Sequence, residues 1–272
     1  MKKWLGYTLL ILTAISLAGA TAMAQKKGEG TMECRDTWGD DRLQNHCEIR
    51  EQTAPMGGIV DVDAGRNGGV SVKGWDKSEI LIRSRIQTAA PTLNEAQALA
   101  KEVRIETGGL KIHAEGPAER RDFFWSVSYE IYVPRRSNLN LESHNGGITI
   151  TDVSGKIDFS AMNGGVSLRR VGGNVQGSTT NGGLSVELSG DHWDGEELNV
   201  RTTNGGVSMA VPENYSAHLE TGTVNGHVNV DFPVTVQGRI TKELSVNLGS
   251  GGATVRATTT NGGIRLKRLM AN

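Results

Sequence analysis

Short segments in which apolar and polar residues alternate recur along the chain, most regularly from residue 139 to the C-terminus. Alternation with a period of two is typical of β-strands that bury one face. In each unit, one segment precedes an Asn-Gly-Gly turn and a second follows it, with the apolar side chains on the same side. The positions that we expect to face inward before the turns are Leu139/Leu141/Ser143, Ile157/Phe159/Ala161, Val175/Gly177/Thr179, Leu198/Val200/Thr202 and Val255/Ala257/Thr259. After the turns they are Ile148/Ile150, Val166/Leu168, Leu184/Val186, Val207/Met209, Val228/Val230 and Ile264/Leu266.

The turns recur at nearly fixed intervals. Asn145, Asn163 and Asn181 follow one another at 18 residues, the next two intervals are 23 and 21 residues, and the last is 36. The turn residues are Asn67, Gly68, Gly69, Asn145, Gly146, Gly147, Asn163, Gly164, Gly165, Asn181, Gly182, Gly183, Asn204, Gly205, Gly206, Asn225, Gly226, Asn261, Gly262 and Gly263, with a degraded copy at Ser250-Gly251-Gly252. Such a period indicates a repeat architecture.

Two all-β architectures are compatible with these units. In a β-solenoid, each unit of about 18 residues is one coil, and equivalent turns stack along the axis. We then expect glycine at the corners for its positive φ and lack of a side chain, and Asn for its tolerance of left-handed backbone and its ability to hydrogen-bond to the next coil. In a meander of hairpins, Asn-Gly would form type I′ turns instead. The near-identical turns favour the β-solenoid.

The region 48–138 is less regular, and we expect it to cap the array of repeats in 139–272. Thr92 and Glu95 form the sequence signature of a capping box at a helix start. One short helix is therefore predicted over residues 93–102, with helical spacing of Leu93, Ala96, Ala100 and Val103. At the other end of the array, charged residues are expected to protect the last strand edge, namely Arg265, Lys267 and Arg268.

The first 24 residues have the three parts of a secretory signal peptide. Lys2 and Lys3 precede a mostly apolar stretch, and Ala22-Met23-Ala24 is a small-x-small cleavage site. The apolar stretch is short for a membrane span, and no later stretch is apolar enough to form one. We therefore expect an exported protein of the periplasm or cell surface, with a polar segment over 25–47 and a single domain over 48–272.

Two cysteines, Cys34 and Cys47, lie in the polar segment. An even pair in an exported chain is typical of a structural disulfide, which we predict here. A zinc site would need histidine partners at regular spacing, and only His46 is near in sequence.

Composition narrows the function further. Glycine accounts for 36 of 272 residues, but its fixed offsets indicate turns rather than a flexible linker. Loss of Lys2 and Lys3 with the signal peptide would change the formal charge from −1 to −3. This small, mixed charge gives no electrostatic basis for binding nucleic acid or an anionic membrane.

Small hydroxyl side chains occupy the outward positions after the turns. In a stacked solenoid they would form one row, and a possible binding face consists of Thr149, Ser167, Ser185, Ser208 and Asn229, with Ser71 and Arg265 in equivalent positions. Such a row could meet a glycan or another protein, or it could serve solubility alone. The turns lack the aspartates of calcium-binding repeats, and the six histidines show no ligand spacing, so we predict no metal or cofactor.

Asp152 and Asp158 flank one second turn, but an acidic loop further on offers the best position for a catalytic pocket. Asp191, Asp194 and Glu196 flank Trp193 in the largest insertion, at residues 190–197. Polysaccharide-acting β-helices use paired carboxylates, so this loop motivates an enzymatic alternative. No nucleophile elbow, phosphate-binding loop or dinucleotide fingerprint is present, because strands rather than helices follow the glycines. The sequence predicts a protein that is not an enzyme.

The repeats resemble the bacterial DUF4097 family. The resemblance rests on the Asn-Gly-Gly repeats, on the segment Val72–Ile80 and on Tyr-Glu-Ile-Tyr-Val-Pro at 129–134, and it covers about residues 48–268. It implies an adhesin-like β-solenoid domain at the bacterial envelope and transfers no catalytic or binding residue. We expect a non-catalytic binding or scaffold module for a surface polymer or partner protein. An envelope-stress-linked structural protein is the other alternative.

Overall fold

The structure is a computed structural model that describes residues 32–34, 42–118, 120–233 and 242–269. The expected signal peptide, 1–24, and residues 25–31 and 35–41 of the polar segment lie outside the described residues. The described residues from Met32 onward form one compact unit.

Twenty β-strands and one α-helix make up the described part of the chain. The strands are β1 (Gln44–Pro55), β2 (Ile59–Asp63), β3 (Val70–Trp75), β4 (Glu79–Ala90), β5 (Arg104–Glu106), β6 (Lys111–Glu115), β7 (Phe124–Pro134), β8 (Asn138–Ser143), β9 (Ile148–Thr151), β10 (Ser154–Ala161), β11 (Val166–Arg169), β12 (Gly172–Asn181), β13 (Leu184–Glu187), β14 (Glu197–Asn204), β15 (Val207–Val211), β16 (Ala217–Asn225), β17 (Val228–Val230), β18 (Glu243–Leu248), β19 (Thr254–Asn261) and β20 (Ile264–Arg268). The helix, α1, spans Leu93–Glu102, and a 3-10 turn spans Gly108–Leu110.

The strands form two ten-stranded sheets. Sheet A has the order β1-β4-β7-β3-β9-β11-β13-β15-β20-β17, and sheet B has the order β18-β16-β19-β14-β12-β10-β8-β2-β6-β5. Each repeat places its strand before the Asn-Gly-Gly turn in sheet B and its strand after it in sheet A. Equivalent strands pair in parallel and in register, as Ser167 of β11 does with Ser185 of β13. This stacking confirms the β-solenoid and excludes the hairpin meander.

The hydrophobic core lies between the two sheets. The inward positions expected from the alternation are buried, except for Gly177 and Val230, which are half-buried. Gly177 faces the ring of Phe159 on the neighbouring strand, and a Cβ at Gly177 would lie 2.5 Å from that ring. A large side chain in one coil is therefore accommodated by the absence of one in the next.

The last coil in the sequence is not the last coil in space. β19 lies between β14 and β16, and β20 lies between β15 and β17. In chain order, β16 and β17 come first, and β18, which pairs antiparallel with β16, follows them. The C-terminal coil, β19 and β20, comes last in the sequence but lies inside the stack. Ser250-Gly251-Gly252 belongs to the connection between β18 and β19, so its interpretation as a degraded corner is wrong.

The insertion also changes the role of the C-terminal charges. β20 has a strand on both sides, so its charged residues do not protect an edge as expected. Arg265 pairs with Asp231 at 3.1 Å, and Arg268 donates to the carbonyl oxygen of Pro212 at 2.9 Å. These residues link the inserted coil to the chain on either side of it.

The region before residue 139 ends the solenoid with antiparallel strands and α1. β2 and β3 form a regular coil, whereas β4 and β1 extend sheet A in antiparallel fashion. The capping box of α1 is present, with Thr92 and Glu95 bonded as predicted. The helix buries Ala96, Leu99 and Ala100, whereas Leu93, which the spacing placed on the buried face, is 46% exposed. The predicted disulfide between Cys34 and Cys47 is confirmed.

Close backbone contact explains the corner glycines. None of them has a positive φ, so the expected left-handed backbone is wrong. Instead, a Cβ on the middle residue would collide with the carbonyl oxygen of the middle glycine in the neighbouring coil, as between Gly182 and Gly164. The third residue has more room, because the nearest atom would lie 3.0–3.8 Å from its Cβ, and 3.6 Å away at Gly183. His227 stands at this third position in one coil.

Two sets of hydrogen bonds follow the glycines from coil to coil. On the exposed side, each asparagine donates from Nδ2 to Oδ1 of the next at 2.7–3.1 Å, in the spatial order Asn225, Asn261, Asn204, Asn181, Asn163, Asn145, Asn67. On the buried side, a hydroxyl two residues before the corner asparagine donates to the neighbouring middle glycine at 2.7–2.8 Å, from Ser143, Thr179, Thr202, Thr223 and Thr259.

Gly182→Ala is expected to destabilise the solenoid by about 3 kcal/mol, because its Cβ would force the backbones of two coils apart. Gly183→Ala is the matched control one residue away. Its Cβ meets only ordinary contacts, so the free energy of unfolding should change by less than about 1 kcal/mol. Urea denaturation followed by circular dichroism measures both. Equal losses in the two variants would contradict this account of the corner.

Candidate functional site

The outer face of sheet A carries the predicted row of small polar side chains. In-register pairing places it across seven adjacent strands, in the spatial order Ser71, Thr149, Ser167, Ser185, Ser208, Arg265 and Asn229. We call this set the hydroxyl row. Arg265 separates Ser208 from Asn229 because the C-terminal coil is inserted there. Neighbouring members are one strand apart, about 4.8 Å.

The middle of the hydroxyl row lies in a shallow groove. The groove crosses β11, β13 and β15, and it is lined by Gly165, Val166, Ser167, Gly183, Leu184, Ser185, Gly206, Val207 and Ser208. The corner glycines and serines leave little relief above the backbone. The hydrogen-bonded corner asparagines run along one side of the groove, and charged residues of β11 and β13 lie on the other, at Arg169 and Glu187. This surface suits an extended ligand rather than a compact one.

A pair of aromatic side chains stands at the N-terminal end of the same face. Trp75 of β3 and Tyr132 of β7 have ring centroids 5.4 Å apart, with a 36° angle between their planes. Both are half-buried. Neither residue was predicted to be a site residue from the sequence. The available signal was that Trp75 shares the outward phase of Ser71 and Lys73, but the parallel pairing of β3 with β7 was not predicted.

A buried carboxylate lies beside this pair. Glu130 of β7 is opposite Ser71, and its side chain is only 4% exposed. It accepts hydrogen bonds from Lys73 at 3.0 Å and Arg83 at 2.7 Å. Burial opposes ionisation of Glu130, but these two bonds outweigh it, so the pKa of Glu130 lies below its usual value of 4.5. The carboxylate is a structural link between β4, β7 and β3.

Charged side chains also connect the coils at the second turn. Arg170 bonds to Asp152 at 2.7 Å and to Glu187 at 3.2 Å. The hydrogen bond from Arg170 lowers the pKa of Asp152. Asp152 and Arg170 both have positive φ, which is uncommon outside glycine and marks the same corner in successive coils. Ion pairs therefore connect the coils at the second-turn edge, whereas hydrogen bonds between asparagines connect them at the Asn-Gly-Gly edge.

The acidic loop at 190–197 is tied to the coil rather than open. Trp193 is 4% exposed and donates from its indole nitrogen to the carbonyl oxygen of Gly173 at 3.0 Å. Glu196 accepts from Asn174, and the bond from His192 lowers the pKa of Asp191. A general acid needs the opposite shift, a raised pKa. The aromatic residue that suggested a pocket belongs to the core.

The described residues include no group of three or more His, Cys, Asp or Glu side chains arranged to hold a metal ion. Over the same residues, no helix has the length and apolar character to cross a membrane.

A protein-family model and several solved structures are similar to this chain. The model of the Toastrack DUF4097 family matches residues 93–267. Similar solved structures include a "putative cell adhesion protein" from Clostridium sporogenes, with 12% identity, a TM-score of 0.41 and coverage of 82% of this chain and 100% of that chain. A "putative adhesin" from Bacteroides fragilis has 10% identity, a TM-score of 0.30 and coverage of 82% and 97%. A "putative lipid binding protein" from Parabacteroides distasonis has 7% identity, a TM-score of 0.27 and coverage of 80% of this chain and 96% of that chain. No curated protein matches the chain.

Glu130→Gln should lower the free energy of unfolding by about 3 kcal/mol at pH 7, because Lys73 and Arg83 lose their buried anion. The pKa of Glu130 is depressed, so its stabilisation is present above pH 4.5 and is lost as the pH falls through the lowered pKa. Wild type and variant should therefore converge in acid. Urea titrations from pH 7 to pH 3 test this. Glu142→Gln, on the exposed outer face of sheet B, is the control and should change stability by less than about 0.5 kcal/mol. A difference in free energy of unfolding between wild type and Glu130→Gln that does not change with pH would refute the stabilising role of the ionised Glu130.

Proposed function

The chain belongs to the Toastrack DUF4097 family, and from that premise we propose that it is a non-catalytic, exported protein of the cell envelope. Its role is to bind an extended surface polymer through the outer face of sheet A. The observation that carries the proposal is the hydroxyl row, which continues across seven strands with a shallow groove at its centre. The Cys34–Cys47 disulfide supports export, because such bonds persist in oxidising compartments.

The geometry of the acidic loop supports a non-catalytic role. Trp193 fills the core, so it does not line a pocket beside Asp191 and Asp194. A polysaccharide-acting enzyme would require carboxylates around a substrate cleft. If the enzymatic alternative were correct, purified protein would release sugars from a polysaccharide, and Asp191→Ala or Asp194→Ala would abolish that release.

Ser185→Arg tests the binding face. The long arginine side chain would cover the groove in the middle of the hydroxyl row, so affinity for isolated envelope polysaccharide should fall at least about tenfold, or roughly 1.4 kcal/mol. Co-sedimentation with the polysaccharide measures it. Ser160→Arg is the matched control, an exposed serine on the outer face of sheet B, and should bind as wild type does.

The other outcomes distinguish the alternatives. Binding to an envelope protein that Ser185→Arg disrupts, without polysaccharide binding, would assign the same face to a partner protein. Equal effects of Ser185→Arg and Ser160→Arg would remove the outer face of sheet A from consideration. Absence of any polymer or protein ligand would favour the envelope-stress-linked structural protein.

A further inference from the structure

The Trp75–Tyr132 pair lies in line with the rows of the outer face of sheet A. Lys73, between Ser71 and Trp75 on β3, pairs with Tyr132 on one side and with Thr151 of β9 on the other. Ser71 correspondingly lies between Glu130 and Thr149. Tyr132 is therefore one strand and two residues from Ser71, about 8 Å, and Trp75 is four residues from Ser71 along β3, about 13 Å.

Only side chains are available for recognition here. β3 and β7 are internal strands, with β4 and β9 on their outer sides, so their backbone groups are engaged in the sheet. Peptide ligands that add a strand need a free sheet edge. An internal face with two half-buried rings instead offers flat apolar surface next to hydroxyl groups. A sugar ring has the matching chemistry, with an apolar C–H face and hydroxyls at its rim.

The ring faces already hold positively polarised groups. The Lys77 ammonium lies 4.6 Å from the centroid of the Trp75 ring, and that of Lys73 lies 5.6 Å from the Tyr132 centroid. The negative face of an aromatic ring attracts such groups. The C–H groups of a sugar are polarised in the same sense. Lys77 is 63% exposed, so a ligand can displace it at low cost.

The charges around the pair are balanced. Lys73 faces Glu130 at 3.0 Å, Arg135 faces Asp76 at 2.7 Å, and Lys77 faces Glu79 at 3.6 Å. Arg83, which also bonds to Glu130, pairs with Glu51 at 2.7 Å. The patch therefore has no excess charge with which to select an acidic or basic ligand. Recognition must come from stacking and hydrogen bonds.

We propose that Trp75 and Tyr132 form a stacking platform for one ring of an uncharged polysaccharide, whose following rings extend over Ser71 and Thr149 along the hydroxyl row. This inference rests on the proposed function and specifies its ligand class. Because the surrounding charges are balanced, binding should depend little on ionic strength.

Titration of the full-length mature chain with neutral β-linked oligosaccharides, of the glucan and chitin types, tests the platform. Isothermal calorimetry and tryptophan fluorescence report binding, and polygalacturonate serves as the acidic comparison. Trp75→Ala should weaken binding of the neutral oligosaccharide about tenfold, whereas Trp75→Tyr should retain most of the affinity. Changing the salt from 50 to 500 mM should alter the affinity less than about twofold.

Phe124→Ala is the control variant. Phe124 is on the same strand as Tyr132 and is 43% exposed, but it is about 26 Å away along β7. Its loss should leave binding unchanged. If neutral glycan binds and Ser185→Arg weakens it while Trp75→Ala does not, the platform is refuted and the proposed function stands. Binding of polygalacturonate alone, with strong salt dependence, would refute the uncharged ligand. If no glycan of either kind binds, the platform fails, and with it the polymer ligand of the proposed function.

Discussion

Backbone contact between successive corners is the constraint on which the rest of the structure depends. The carbonyl oxygen of one middle glycine occupies the space where the next coil would carry a Cβ. This approach brings the corner asparagines within hydrogen-bonding distance on the outside. On the inside it lets the threonine hydroxyls reach the glycine carbonyl groups. Glycine, asparagine and threonine therefore act together at each corner. The absence of a side chain at the glycine makes both the asparagine–asparagine and the hydroxyl–carbonyl hydrogen bonds possible.

Ala161 is the exception to the pattern of buried hydroxyl residues before the corners. Ala161 occupies the position of the buried threonines but has no hydroxyl to donate. The carbonyl oxygen of Gly146, which Ala161 would otherwise serve, accepts instead from Ser143 of its own coil at 2.8 Å. Ser143 also bonds to Gly68 in the neighbouring coil. A buried carbonyl group left without a donor would be costly, and the single hydroxyl proton of Ser143 is shared between these two carbonyl oxygens.

The same constraint determines the outer face. Because the corners cannot slide past one another, outward side chains of equivalent strands align in register and similar residues form rows. The repeats thus produce a uniform surface with little chemical variety. Distinct chemistry enters where β7, which belongs to no repeat, pairs with β3. There the face acquires Tyr132 opposite Lys73 and the buried Glu130 opposite Ser71.

The repeated part of the fold could be predicted from the sequence because its signals are local and occur many times. Alternation identified the inward residues, and the spacing of asparagines identified the coils. The pairing of β7 with β3 could not be predicted, since the two strands are far apart in sequence and β7 follows no Asn-Gly-Gly turn. The aromatic platform depends on that pairing. The φ angles of the corner glycines were also mispredicted, because crowding and left-handed backbone both select glycine.

The position of the C-terminal coil has the same origin. Its sequence is that of any other coil, so its strands fit equally well at the end of the stack or within it. The two positions differ in which strand is left at the end of the stack. With β19 inserted, β16 is the outermost repeat strand of sheet B, and the antiparallel β18 pairs with it. At the opposite end, antiparallel β4 and β1 extend sheet A, and β5 pairs antiparallel with β6 in sheet B. A parallel coil always presents an edge suited to another coil, and a change to antiparallel pairing removes that match. The inserted position therefore leaves β16 as the strand that β18 covers in sheet B, whereas among the described strands sheet A ends at β17, which is parallel to β20.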